Sequence, residues 1–74
     1  MDRLELFTEI VNVLNLDEEL VNENTLLDDI EFDSIAKLGV ISVIDTYLDK
    51  IIDATLLSEC KTIGDIVNLA FSVN

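Results

Sequence analysis

Leu4, Phe7, Ile10, Val11 and Leu14 recur at the three- and four-residue spacing of one helix face. They predict a first helix over about residues 3–14, capped by Asp2, with Glu5 at the positive end of its dipole and Asn15 as its stop. Over about residues 15–33 the period is lost. Asn22, Asn24 and Thr25 give this stretch loop character, and Asp28, Asp29, Glu31 and Asp33 make it acidic. Yet Leu16, Leu20, Leu26, Leu27 and Ile30 run through it, and a disordered linker has no need of them. A long loop lying over the core, pinned by these side chains and holding a short helical turn, is expected.

Asp33 is a good N-cap for a second helix over about residues 34–48. Val40, Ile41, Ile44, Tyr47 and Leu48 form its expected inward stripe. Ile35, Leu38, Ser42 and Asp45, spaced three, four and three apart, share another face. Ile35 and Leu38 are large and apolar, so this second face is a candidate docking surface. Asp49 and Lys50 end the helix. Ile51 and Ile52 are β-branched but too short a run to build a sheet. Thr55 opens a short third helical turn through Leu56, Leu57 and Cys60. Thr62 with Asp65 resembles a capping box, and starts a fourth helix over about residues 63–72 carrying Ile63, Ile66, Val67, Ala70 and Phe71. The expected fold class is all-α: a small four-helix bundle with a long first connection and a short third helix. It forms a single domain over residues 1–74.

Charge narrows the partners. Sixteen Asp and Glu stand against four Lys and Arg, a formal charge of −12. Such a chain does not suit nucleic acid or an anionic membrane surface; it suits proteins with basic patches. Self-repulsion in so small a fold is a cost that salt is expected to relieve. The N-terminus has no signal-peptide pattern, and the apolar run from Leu38 to Ile44 is far too short to span a bilayer. The expectation is a soluble, cytoplasmic monomer.

Residue inventory excludes much chemistry. With one cysteine and no histidine there is no intrachain disulfide and no His or thiolate zinc site. Cys60 lacks a histidine to activate it, and its apolar neighbours make it a core residue. Tyr47, Phe7, Phe32 and Phe71 read as packing anchors. Counting Asp29, Glu31 and Asp33 as calcium-loop ligands puts Ser34 where glycine is needed and Val40 where a bidentate glutamate belongs, so an EF-hand is rejected. No metal site and no catalytic site are expected; the protein is not read as an enzyme.

Ser34 is the residue best placed for chemistry. Its hydroxyl stands at a helix N-terminus, reachable by a partner and close to free backbone N–H groups that favour a phosphodiester. Alone, Asp-Ser before an apolar helix is usually only a cap. The surrounding frame changes that. An amphipathic first helix, an acidic leucine-bearing loop, Asp33-Ser34-Ile35, an apolar second helix closing with Asp45-Thr46-Tyr47-Leu48-Asp49, then Ile51-Ile52 and Thr62-Ile63-Gly64-Asp65-Ile66, follow one another in order. Over nearly its whole length the chain resembles the acyl carrier protein family, which includes aminoacyl and peptidyl carriers; from Asp33 onward no gap is needed.

The resemblance implies that Ser34 carries 4′-phosphopantetheine, transferred from coenzyme A by a phosphopantetheinyl transferase. The arm's thiol would hold acyl groups as thioesters for loading, transfer or synthase enzymes that dock through basic patches. Asp33 would cap the helix and position the transferase. Ile35 and Leu38 would be apolar contacts, with Ser42 and Asp45 completing the partner-binding face. Three positions depart from the family's pattern: Glu31 replaces a common glycine, Ala36 followed by Lys37 replaces an acid, and Gly39 replaces a glutamate. The weaker acidic face points to a stand-alone carrier for a specialised fatty acid, polyketide or similar pathway. The alternatives are an aminoacyl or peptidyl carrier, or an unmodified acidic helical interaction module in which Ser34 is only a cap. Gly39 reads equally as a packing glycine or as room for a partner.

Overall fold

Asp2 opens the first helix, α1 (Arg3–Val13), its carboxylate accepting the Glu5 N–H at 2.9 Å. The computed structural model describes residues 2–72. Met1 and Val73–Asn74, the ends of the expected domain, lie outside the described residues. Asn15 stops α1 by turning left-handed, φ 59°. The Asn15 N–H then donates to the Asn12 carbonyl and the Leu16 N–H to the Val11 carbonyl, satisfying the open end of the helix. The buried face of α1 is Leu6, Phe7, Ile10 and Val11. Leu4, expected inside, is 70% exposed, and Leu6 takes its place.

The connection to α2 is long and ordered, with single 3-10 turns at Glu18–Leu20 and Leu27–Asp29. Leu27 is buried, and Leu16, Val21, Ile30 and Phe32 pack half-buried against the core. Leu20 and Leu26, expected as pins, are exposed. Leu26 serves through its backbone instead, pairing with Thr62 in an isolated antiparallel bridge.

Helices α2 (Ser34–Leu48), α3 (Ala54–Ser58) and α4 (Ile63–Ser72) complete the bundle. Asp33 caps α2 by accepting the Ala36 N–H at 2.9 Å. Asp49 closes it in the left-handed region, φ 55°. Val40 and Ile44 of the expected stripe are fully buried, Ile41 and Leu48 are half-buried, and Tyr47 is 50% exposed beside Leu4. α3 starts at Ala54, where Asp53 accepts the Thr55 N–H at 2.9 Å, and it ends before Cys60. Cys60 is half-buried, not fully inside.

The core joins Leu6, Phe7, Ile10 and Val11 to Leu27, Val40, Ile44, Ile52, Leu57 and the inner side of α4. Burial of each large aliphatic side chain contributes roughly 1.5–3 kcal/mol against the ordering entropy. No polar side chain is buried among the described residues. Phe71, at the end of α4, is partly exposed. Lys50 donates to the Ala70 carbonyl at 3.0 Å, placing a cation at the negative end of α4.

The start of α4 is locked to the loop. Thr62 and Asp65 form the capping box: the Asp65 N–H donates to Thr62 Oγ1 at 3.1 Å and the Thr62 N–H to Asp65 Oδ2 at 3.2 Å. The Ile63 N–H donates to the Thr25 carbonyl and the Gly64 N–H to the Glu23 carbonyl, at 3.1 and 2.8 Å. A Cβ on Gly64 would stand 2.8 Å from that same Glu23 carbonyl oxygen, so only glycine allows this approach. Arg3 ties the seam from outside through Glu23 and Asn68. Among the described residues no helix is long and apolar enough to cross a membrane.

Candidate functional site

Ser34 is the first residue of α2 and is solvent-exposed. Asp33, the residue before it, supplies the capping carboxylate. The Ser34 hydroxyl has no hydrogen-bond partner among the described residues. The Ser34 and Ile35 N–H groups lie in the first turn, where the helix supplies no acceptor. Hydroxyl and amides therefore share one exposed point at the positive end of the α2 dipole.

The remaining expected site residues lie along the outside of the same helix. Ile35 is 79% and Leu38 64% exposed, and Ser42 and Asp45 are exposed further along. The structure thus brings Asp33, Ser34, Ile35, Leu38, Ser42 and Asp45 onto one side of α2, as their spacing requires. Gly39 is not part of this surface. A Cβ there would meet Val13 Cγ2 at 3.0 Å, so the missing side chain makes room for α1.

A groove of about 390 Å³ runs between α2 and α3 beside the serine, lined by Ser34, Lys37, Leu38, Ala54, Thr55 and Ser58. Sequence reasoning did not place α3 against Ser34. Lys37, three residues on and hence on the same helix face, lines the groove too. Its ammonium donates to Ser58 Oγ at 3.1 Å and lies 5.9 Å from the Phe32 ring centroid. Lys37 and Ser58 also border a neighbouring pocket with Leu27, Asp28, Phe32, Leu57 and Cys60. Burial pushes the Cys60 thiol upward, with the Asp65 and Glu59 carboxylates adding to the shift, so it stays a neutral thiol at pH 7. Its Sγ lies 3.7 Å from the Leu56 carbonyl oxygen.

Asp65 is the other perturbed group. The backbone N–H groups of Lys61 and Thr62 hold its carboxyl below the ordinary range, outweighing desolvation. This is helix-start chemistry, and Asp65 does not line the groove that includes Ser34. Among the described residues no three Asp, Glu or Cys side chains gather as a metal site.

The description of the protein family that matches is phosphopantetheine attachment site, and the match covers residues 5–70. The chain belongs to this family, an acyl-carrier-protein type whose domains hold 4′-phosphopantetheine covalently on a serine. Comparison with curated proteins and with solved structures gives no match. Such an arm needs an accessible hydroxyl, room for a phosphodiester, and an oxygen not already engaged in holding the fold. The residues at the α2 start fit each requirement.

Proposed function

We propose that Ser34 is the attachment point of the arm and that the chain is an acyl carrier, a single non-catalytic domain on which partner enzymes perform the chemistry. The observation that carries this reading is the division of labour at the α2 start. Asp33 caps the helix, leaving the Ser34 hydroxyl exposed and without structural work. An interaction module would need Ser34 only as the cap, and Asp33 already fills that place.

Each residue then has a physical role. Ser34 gives its hydroxyl oxygen to the phosphodiester link. The open amides of Ser34 and Ile35, with the α2 dipole, favour the negative charge there. Asp33 fixes where the helix starts and so where the hydroxyl points. Ile35 and Leu38 offer apolar contact to the transferase and to loading, transfer or synthase enzymes, with Ser42 and Asp45 extending that face. The acidic loop steers basic partner surfaces toward it. When bound, the arm supplies a thiol that carries acyl groups in thioester linkage. Ala36, Lys37 and Gly39 leave this stretch of α2 without carboxylates. That supports a dedicated carrier of a specialised cytoplasmic pathway over one serving general fatty acid synthesis. An aminoacyl or peptidyl cargo would use the same residues.

Intact mass after incubation with coenzyme A, magnesium and a broad-specificity phosphopantetheinyl transferase tests the reading. Wild type gains one phosphopantetheine mass and Ser34→Ala gains none while keeping its helix content. Gain in the alanine variant, or none in wild type with several transferases, would sink it.

A further inference from the structure

Lys37 is a cation without a carboxylate partner in a chain rich in them, although Asp28 lines the same pocket. The chain carries sixteen acidic residues, yet none lies within 4.0 Å of the Lys37 ammonium among the described residues. Its contacts are the Ser58 hydroxyl and the face of Phe32. Both are neutral, so neither matches the ammonium charge. Lys37 also lines the groove that Ser34 borders, one helical turn along on the same face, where Cβ atoms stand about 5–6 Å apart.

We propose that Lys37 is a positioning residue for the arm, holding the phosphodiester at Ser34 against the groove between α2 and α3. The inference rests on the reading that Ser34 carries the arm. The driving force is charge. A phosphodiester placed beside Asp33 in a chain of net charge −12 meets a repulsive field. One lysine on the same face offsets it. Exchanging a neutral hydroxyl acceptor for an anionic oxygen converts an ordinary hydrogen bond into a charge-assisted one, roughly twice as strong. The side chain is half-buried, so this attraction is screened less than that of a free surface lysine. Lys37 thereby sets the side of α2 on which the arm leaves the helix.

A merely structural lysine, tying α2 to α3 through Ser58, would matter equally with and without the arm. The test is therefore a difference. Melting temperatures are measured for apo and transferase-made holo protein in wild type, Lys37→Gln and Lys37→Arg, at low salt. Lys37→Gln lowers the holo melting temperature by about 2–4 °C more than the apo value. Lys37→Arg restores most of the holo-specific loss, and salt of about 0.5 M shrinks it. In carbon-edited NMR spectra the Lys37 ε-methylene signal moves between apo and holo wild type. Equal losses in both forms, with an unmoved methylene, would overturn the inference and leave Ser34 as the carrier residue. Failure of wild type to gain mass in the loading step would overturn the carrier reading, and this inference with it.

Discussion

Two helices in this bundle begin in the same chemical way and end up with different surroundings. At α4, the first N–H groups donate to the Thr25 and Glu23 carbonyls and to the Thr62 hydroxyl, while Ile63 and Gly64 are buried. At α2, only the Ala36 N–H is taken up by the capping side chain, and Ser34 and Ile35 stand in water. Both starts have an acid or hydroxyl cap, so local sequence makes them look alike. Tertiary contacts separate them. A start whose amides are all spent can hold a fold together but has nothing left for a ligand. A start with open amides and an idle hydroxyl costs stability and keeps chemistry available.

Substitutions at each start should separate these roles. The largest effect is expected from Gly64→Ala. Its methyl would stand 2.8 Å from the Glu23 carbonyl oxygen, a backbone atom that cannot simply rotate away. Urea unfolding should show a loss of about 1–3 kcal/mol. Asp33→Ala comes next, losing about 1 kcal/mol of helix capping by the same measurement. It should also slow loading of Ser34, since the helix start frays. The opposite sign is expected for Gly39→Ala. Alanine is favoured over glycine in a helix interior by roughly 1 kcal/mol. The contact it makes, 3.0 Å to Val13 Cγ2, involves a partly exposed side chain that can shift. A net gain of about 0.5 kcal/mol is expected after that adjustment; a loss would mean that α1 and α2 cannot separate at all.

The smallest effect concerns acid. The folded-state pKa of Asp65 lies below its unfolded value because two backbone N–H groups donate to the carboxylate. Its contribution is complete above the unfolded range of about 4 and is lost as pH falls through the lower folded value. Asp65→Asn should therefore flatten the fall in melting temperature between about pH 5 and pH 2. An unchanged acid limb would show that other carboxylates govern it.

Much of this was readable in the chain. The bounds of α2 and α4 follow from Asp33, Asp49 and the Thr62–Asp65 pair, because caps are local hydrogen bonds between near neighbours. The place of Ser34 as the first residue of α2 followed for the same reason. Most of the misreadings involve distant segments. Leu4 and Leu6 both fit the α1 stripe at its frayed end, and only packing against the rest of the chain selects Leu6. Leu26 looks like a core anchor by composition, yet its backbone is what pairs. α2 carries apolar residues all round, so periodicity could not keep Tyr47 out of its inward stripe. Asp53 before Ala54 was a legible cap that would have corrected the start of α3. Nothing local foretold that Lys37 would reach Ser58.

The seam between the loop and α4 also bears on the order in which the molecule can be made. Glu23, Thr25 and Leu27 pair across the seam with the backbone of Gly64, Ile63 and Lys61. While the chain is being synthesised, the loop must wait, since these partners follow it in the chain and leave the ribosome after it. Nascent chains stalled before and after residue 64 should differ sharply in protease sensitivity of the loop. Helix α2, already capped by Asp33, can form early, but the frame that holds it in place closes only when residues 61–64 have followed.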